Sequence, residues 1–226
     1  MPSENNISSN LSVIRDQIED TRQNSNMSSE EVCLVAVSKT KPVEAVIEAY
    51  VAGQRVFGEN KVQEAQVKFS DLGQKRDDIE LHLIGPLQTN KVKEAVQTFD
   101  VIQTVDRPKL VKALSKEITK QDRHPKLFIQ VNTGEEEQKA GVLPKDLSEL
   151  LDLCEAEGLK VSGLMCIPPV EEEPSLHFSF LSELAKKNGL DSLSMGMSSD
   201  YELAVRFGAT HVRVGSSIFG EREYSK

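Results

Sequence analysis

Tryptophan is absent from this 226-residue chain, and only three tyrosines and eight phenylalanines are present. With large aromatic anchors so scarce, a core here must be built mainly from aliphatic side chains. Cysteine is equally sparse. Cys33, Cys154 and Cys166 are odd in number and lack metal-type spacing, which argues against a disulfide framework or a structural zinc site. No apolar run approaches the ~20 residues that cross a bilayer. The opening Met1-Pro2-Ser3-Glu4-Asn5-Asn6 has no basic segment leading into an apolar one. The expectation is a cytoplasmic protein without membrane association. Positive charge is in deficit too: 27 basic against 36 acidic residues leave a net charge of −9. Such a surface repels phosphate backbones and argues against nucleic acid as a partner, while leaving room for a local basic pocket. Neither GxGxxG nor GxxxxGK[ST] occurs, so the glycine-rich fingerprint of a doubly wound nucleotide-binding sheet is missing.

What is present is an ordinary globular balance, 38% hydrophobic and 28% charged, with length for one large α/β domain or two small ones. Ile7, Leu11, Ile14 and Ile18 recur at helical spacing and predict a first helix within residues 7–25, closed by the break at 24–29. Short apolar runs at 34–37, 55–57, 81–85, 100–104, 126–132, 161–165, 190–195 and 210–214 then alternate with helix-period segments. Eight such alternations without a long linker predict the α/β class, as a single (β/α)8 TIM barrel over 1–226 with an extra N-terminal helix over 1–25 packed on it. The open doubly wound sheet is the competing fold.

Leu34-Val35-Ala36-Val37 reads as a buried parallel strand that stops on Ser38 and Lys39 before Pro42 opens a helix. Side chains alternate along a strand, so Lys39 continues the face of Val35 and Val37 into a sheltered place. Desolvation there disfavours the ammonium form, which suits an amine that attacks a carbonyl. A solvated strand-end lysine is the plainer reading. Lys41 has the same parity but sits farther out and is the poorer candidate.

In a barrel the strand C-terminal ends build the site. Those ends supply Lys39, Glu59-Asn60, His82, Gly85, Gln103, Asn132, Met165-Cys166, Met197-Ser198-Ser199 and Arg213 with Gly215-Ser216-Ser217, expected to converge on one mouth. No Ser-His-Asp triad or carboxylate dyad is among them, and His82 reads as a satisfied barrel histidine rather than a metal ligand. Ser194-Met195-Gly196-Met197-Ser198-Ser199-Asp200 ends a strand on hydroxyl residues, with Ser199 expected to cap the next helix. Gly215-Ser216-Ser217 follows the eighth strand beside Arg213. Together the two loops predict a phosphate site. A lysine and a phosphate cradle select a phosphorylated carbonyl compound, either a sugar phosphate or pyridoxal 5'-phosphate.

Five motifs carry a resemblance: Ala36-Val37-Ser38-Lys39-Thr40-Lys41-Pro42, Phe57-Gly58-Glu59-Asn60-Lys61-Val62-Gln63-Glu64, His82-Leu83-Ile84-Gly85-Pro86-Leu87-Gln88-Thr89-Asn90-Lys91, the 194–200 segment and Val212-Arg213-Val214-Gly215-Ser216-Ser217-Ile218-Phe219-Gly220. With Gly163-Leu164-Met165-Cys166-Ile167-Pro168-Pro169, they resemble the YggS/PROSC family of pyridoxal phosphate homeostasis proteins from near residue 30 onward. The resemblance implies a barrel similar to the alanine racemase N-terminal domain, with pyridoxal phosphate held on Lys39 as an aldimine. It implies phosphate contacts from Ser198, Gly215 and Ser216, Asn60 near the ring, and Arg213 facing either the phosphate or the ring nitrogen. The implied role is holding and delivering the cofactor, with pyridoxal-phosphate-dependent apoenzymes as recipients, and keeping vitamin B6 and amino-acid pools in balance without a catalytic cycle.

An amino-acid racemase of the alanine racemase type is the alternative. It needs a second acid–base group, in that family a tyrosine from an added β domain. No such domain is expected after strand eight, and Tyr50, Tyr201 and Tyr224 are expected to lie away from the mouth. Without the β domain the expectation is a monomer with an open cofactor face. A regulatory protein that senses the cofactor or binds a partner is a third class, which the acidic surface permits and no motif requires.

Overall fold

Valine, isoleucine and leucine fill the strands, and each strand is buried along nearly its whole length, as parallel strands covered on both faces must be. The computed structural model describes residues 6–26 and 29–221. The leader reading on residues 1–5, part of the break at 24–29 and Tyr224 lie outside the described residues. The strands are β1 (Cys33–Val37), β2 (Val56–Glu59), β3 (Glu80–Leu83), β4 (Val101–Val105), β5 (Lys126–Gln130), β6 (Val161–Met165), β7 (Ser192–Ser194) and β8 (His211–Val214). They pair in sequence order and in parallel, and β8 closes on β1 with Val35 in register with Arg213. The expected eight-stranded barrel is therefore present, and the open sheet is excluded.

The helices that follow the strands are α2 (Val43–Val51), α3 (Val62–Ser70), α4 (Val92–Thr98), α5 (Pro108–Gln121), α6 (Leu147–Ala156), α7 (Pro174–Lys187), α8 (Tyr201–Arg206) and α9 (Ser216–Phe219). Each lays an apolar stripe on the sheet. In α5 the stripe is Leu110, Val111, Leu114 and Ile118, with Pro108 at the first turn, where its missing N–H costs nothing. A 3-10 turn over Gly73–Asp78, with no apolar periodicity to announce it, links α3 to β3.

Preceding the barrel, α1 (Ile7–Gln23) is capped by Asn6, whose side chain accepts from Ser9 N at 3.0 Å. It buries Ile7, Leu11, Ile14 and Ile18, each contributing ~1.5–3 kcal/mol by the usual area reckoning. The helix packs against α2, α8 and α9.

Two cores result. The larger fills the layer between strands and helices, while Val101, Phe128 and Met165 form a separate cluster inside the barrel. The barrel interior also holds the buried side chains of His82, Gln103, Ser194 and Arg213, with the half-buried His211 beside them, so much of the lumen is polar. The His211 ring meets the Phe128 ring edge-on at 5.2 Å and lies 5.9 Å from His82.

Candidate functional site

Strand β1 delivers its lysine through a tight turn. Ser38 N extends the ladder to Gly58 O at 3.1 Å, and Lys41 N closes the turn on Ser38 O at 3.1 Å. Thr40 completes it at φ +64°, a left-handed conformation that a β-branched residue adopts only under constraint. Lys39 is half-buried and lines a cavity of about 410 Å³ at the C-terminal end of the barrel. That size lies within the ~300–1,000 Å³ common for small-molecule sites.

All six residues expected to hold a ligand, Lys39, Asn60, Ser198, Arg213, Gly215 and Ser216, line this one cavity. The Ser198 hydroxyl accepts from Gly215 N at 3.2 Å, which ties the β7–α8 and β8–α9 loops together. A Cβ on Gly215 would stand 3.3 Å from both Cβ and the carbonyl oxygen of Val37, so glycine lets this loop close on β1. Gly85 does the same for Asn60: a Cβ there would lie 2.3 Å from the Asn60 carbonyl oxygen. The β2–α3 loop thus rests directly on backbone after β3.

Arg213 forms the floor. Only 4% exposed, it donates to Ser194 Oγ at 2.7 Å and to the Cys166 carbonyl at 2.8 Å. Among the described residues it has no ion pair, and burial pulls its pKa down. A buried cation with only neutral partners favours an anionic or electron-rich ligand beside it. Lys39, Lys41 and Arg213 line the cavity, and no described carboxylate, imidazole, thiol or phenol does. The site is a positive pocket in a chain of net charge −9.

Several expected mouth residues lie elsewhere. His82 and Gln103 sit within the lumen below the cavity. Gln103 Nε2 meets His82 Nδ1 at 2.8 Å, and His82 Nε2 meets Glu80 at 2.8 Å. The histidine is satisfied, as expected, and no metal-type cluster exists among the described residues. Asn132 is spent on its own loop, donating to the Glu136 carbonyl at 2.8 Å. Glu59 faces outward from the barrel, because Gly58 takes the inward position. Ser217 faces a separate groove along α1. Ser199 does not cap α8: Asp200 precedes the helix, and its side chain accepts from Met197 N instead. Lys41, the poorer candidate, also lines the cavity, with its ammonium donating to the Glu221 carbonyl at 2.8 Å.

Sequence reasoning missed the support under the Lys39 turn. Lys68, from α3, is 8% exposed and bonds Ser38, Glu59 and Glu64. Its signal was the parity of Ser38 and Glu59, both opposite to the inward-facing residues of their strands.

Residues 9–223 match the alanine racemase N-terminal domain family. A pyridoxal phosphate homeostasis protein of Vibrio cholerae is 41% identical over 231 residues, covering 97% of this chain and 98% of its own. One of Escherichia coli strain K12 is 39% identical, covering 98% and 99%. PipY of Synechococcus elongatus PCC7942, solved with PLP bound, is 40% identical at a TM-score of 0.81, covering 95% of this chain and all of that one. The same protein without PLP superposes at a TM-score of 0.83. By fold, by motif order and by identity across nearly its whole length, the chain belongs to the pyridoxal phosphate homeostasis protein family, built on the alanine racemase N-terminal domain.

Proposed function

We propose that this protein binds pyridoxal 5'-phosphate covalently through Lys39 and serves intracellular pyridoxal phosphate and amino-acid homeostasis. One observation carries the reading: a half-buried lysine, a glycine–serine cradle and an unpaired buried arginine line a single cavity. The residues fit the group. Ser198 and Ser216 would offer hydroxyls to a phosphate, and the Gly215 N–H would trade its bond to Ser198 Oγ for one to the anion. Arg213, on the floor toward β6 and β7, serves the ring side, and Asn60 flanks it from the β2–α3 loop. The group would supply an aldehyde that condenses with the Lys39 amine with loss of water. The protein's own work is to hold that amine in a sheltered, positive pocket and to grip an anion beside it.

Holding the cofactor without turnover is supported by what else the pocket offers. Tyr50 and Tyr201, the tyrosines among the described residues, donate to Asp78 and to Gln17 and do not line the cavity. The second acid–base group of a racemase has no described phenol to supply it. The cavity is open at the barrel mouth, which suits exchange with pyridoxal-phosphate-dependent apoenzymes. We infer a cytoplasmic monomer; no described helix is long and apolar enough to cross a membrane.

Reconstitution tests the binding. Adding pyridoxal 5'-phosphate to stripped protein is expected to give a visible absorption band, lost in Lys39→Ala. Borohydride followed by peptide mass spectrometry is expected to place the pyridoxyl group on Lys39. A colourless reconstituted protein, or an adduct on another residue, overturns the reading. Production of D-amino acids at ordinary enzyme rates from the L-enantiomers would favour the racemase instead.

A further inference from the structure

Directly behind the Lys39 turn, in the layer between strands and helices, lies a buried charge cluster that the pocket does not use. Ser38 and Glu59 are both fully buried there. Lys68 Nζ donates to the Ser38 carbonyl at 2.7 Å, to Glu59 Oε1 at 2.8 Å and to Glu64 Oε1 at 3.1 Å, which engages all three ammonium hydrogens. Ser38 Oγ donates to the same Glu59 oxygen at 2.7 Å. Glu64 Oε1 also accepts from Thr40 N. The backbone on each side of Lys39, the carbonyl of residue 38 and the amide of residue 40, is therefore tied to one cluster.

Two features mark the cluster as more than packing. Glu59 Oε2 is buried with no hydrogen-bond partner among the described residues, an arrangement that costs stability. Burial drives the Glu59 carboxyl upward against the pull of Lys68. Thr40 holds a left-handed φ of +64° while its amide donates to Glu64, so a strained residue is fastened to the cluster. An apolar trio would fill the layer more cheaply. What it would not do is grip both flanks of the turn.

We propose that Lys68, with Glu59 and Glu64, is a positioning element for Lys39: it locks the Ser38–Thr40 turn so that the amine is presented into the pocket before the cofactor arrives. The inference rests on the reading of Lys39 as the reactive amine. It assigns these three residues no contact with the cofactor. Their effect is pre-organisation, and small displacements of a reacting group cost rate steeply.

The test uses full-length protein stripped of cofactor and compares the rate at which added pyridoxal 5'-phosphate develops the visible band, together with the pH midpoint of that band. Lys68→Met alone strands the Glu59 charge and lowers the melting temperature. Lys68→Met with Glu59→Gln removes both charges and is expected to recover most of that temperature while loading still slows, on the order of tenfold or more. Glu64→Ala, at a partly exposed side chain, frees the Thr40 amide with little effect on folding and is expected to slow loading and shift the midpoint as well. Wild-type rate and midpoint in Glu64→Ala and in the double variant, or in Glu64→Ala alone should the double variant not fold, would overturn the proposal. A wild type that fails to load removes the Lys39 reading itself, and the two failures are thus distinguishable.

Discussion

Gln103 Nε2 lies 2.8 Å from His82 Nδ1, and that contact sets the direction of a hydrogen-bond chain through the barrel. Its ends are fixed by chemistry: Arg213 can only donate, and the Glu80 carboxyl, held down to about 2 chiefly by its bond to His82, can only accept. His82 therefore carries its proton on Nε2, toward Glu80, and Nδ1 accepts from Gln103. Gln103 Oε1 then takes the Ser194 hydroxyl at 2.6 Å, and Ser194 Oγ accepts from Arg213. Beyond Glu80, Lys126 completes the series at 3.1 Å. A proton added to His82 Nδ1 would face the donating amide of Gln103, which agrees with the lowered pKa that burial gives this histidine.

Cutting the chain at its centre should be felt at both ends. Gln103→Leu leaves the Ser194 hydroxyl hydrogen without its acceptor and His82 Nδ1 buried without a partner, and is expected to cost ~1–3 kcal/mol of stability. Urea unfolding measures that loss. Equilibrium dialysis is expected to show weaker pyridoxal 5'-phosphate binding in the same variant, because Arg213 loses the anchored hydroxyl that aims it.

Acid should weaken the fold through its lumen. Burial, with His82 nearby, pushes the His211 imidazole down to about 3 from 6.5. The unfolded chain takes up that proton first as pH falls. The contribution is intact above about 6.5 and is lost progressively toward about 3, at up to ~1.4 kcal/mol per pH unit. Thermal melts of His211→Leu are expected to fall less steeply than wild type across that window.

At the proposed phosphate end of the cavity, Ser198→Ala and Ser216→Ala each remove a lining hydroxyl. Each is expected to raise the Kd for pyridoxal 5'-phosphate about fivefold, the equivalent of roughly one neutral hydrogen bond. Isothermal titration on the Lys39→Ala background reads the non-covalent term alone, and unchanged affinity in both variants would remove these serines from the site.

Gly85→Ala forces a methyl group against the Asn60 carbonyl, which must retreat. The expected cost is ~1–3 kcal/mol in denaturant unfolding, with lower pyridoxal 5'-phosphate occupancy as Asn60 shifts.

The barrel and its mouth were legible because each rests on a local pattern. Valine-rich runs marked the strands, and alternation along β1 carried Lys39 into the pocket beside Val37. Ser198 and Gly215 stood out as hydroxyl and glycine residues just past strand ends. Depth along a strand was harder to read. β4 runs to Val105 rather than stopping at 104, which leaves Gln103 well below the mouth, and His82 belongs to the same buried layer. Lys68 was hidden for another reason. On an amphipathic helix it resembles any polar position, and only the fold brings it beneath Ser38, a residue 30 places earlier.

Helix α1 has a consequence that its place outside the eightfold alternation conceals. Asn10 Nδ2 holds the Ile218 carbonyl at 2.9 Å, and Gln17 receives the Tyr201 hydroxyl at 2.7 Å. One bond reaches the short helix carrying Ser216 and the other reaches the helix just after Ser198. The opening segment is thereby buckled across the loops that carry Ser198 and Ser216, and because it also packs on α2, just past the Lys39 turn, deleting it is expected to loosen the whole rim of the cavity.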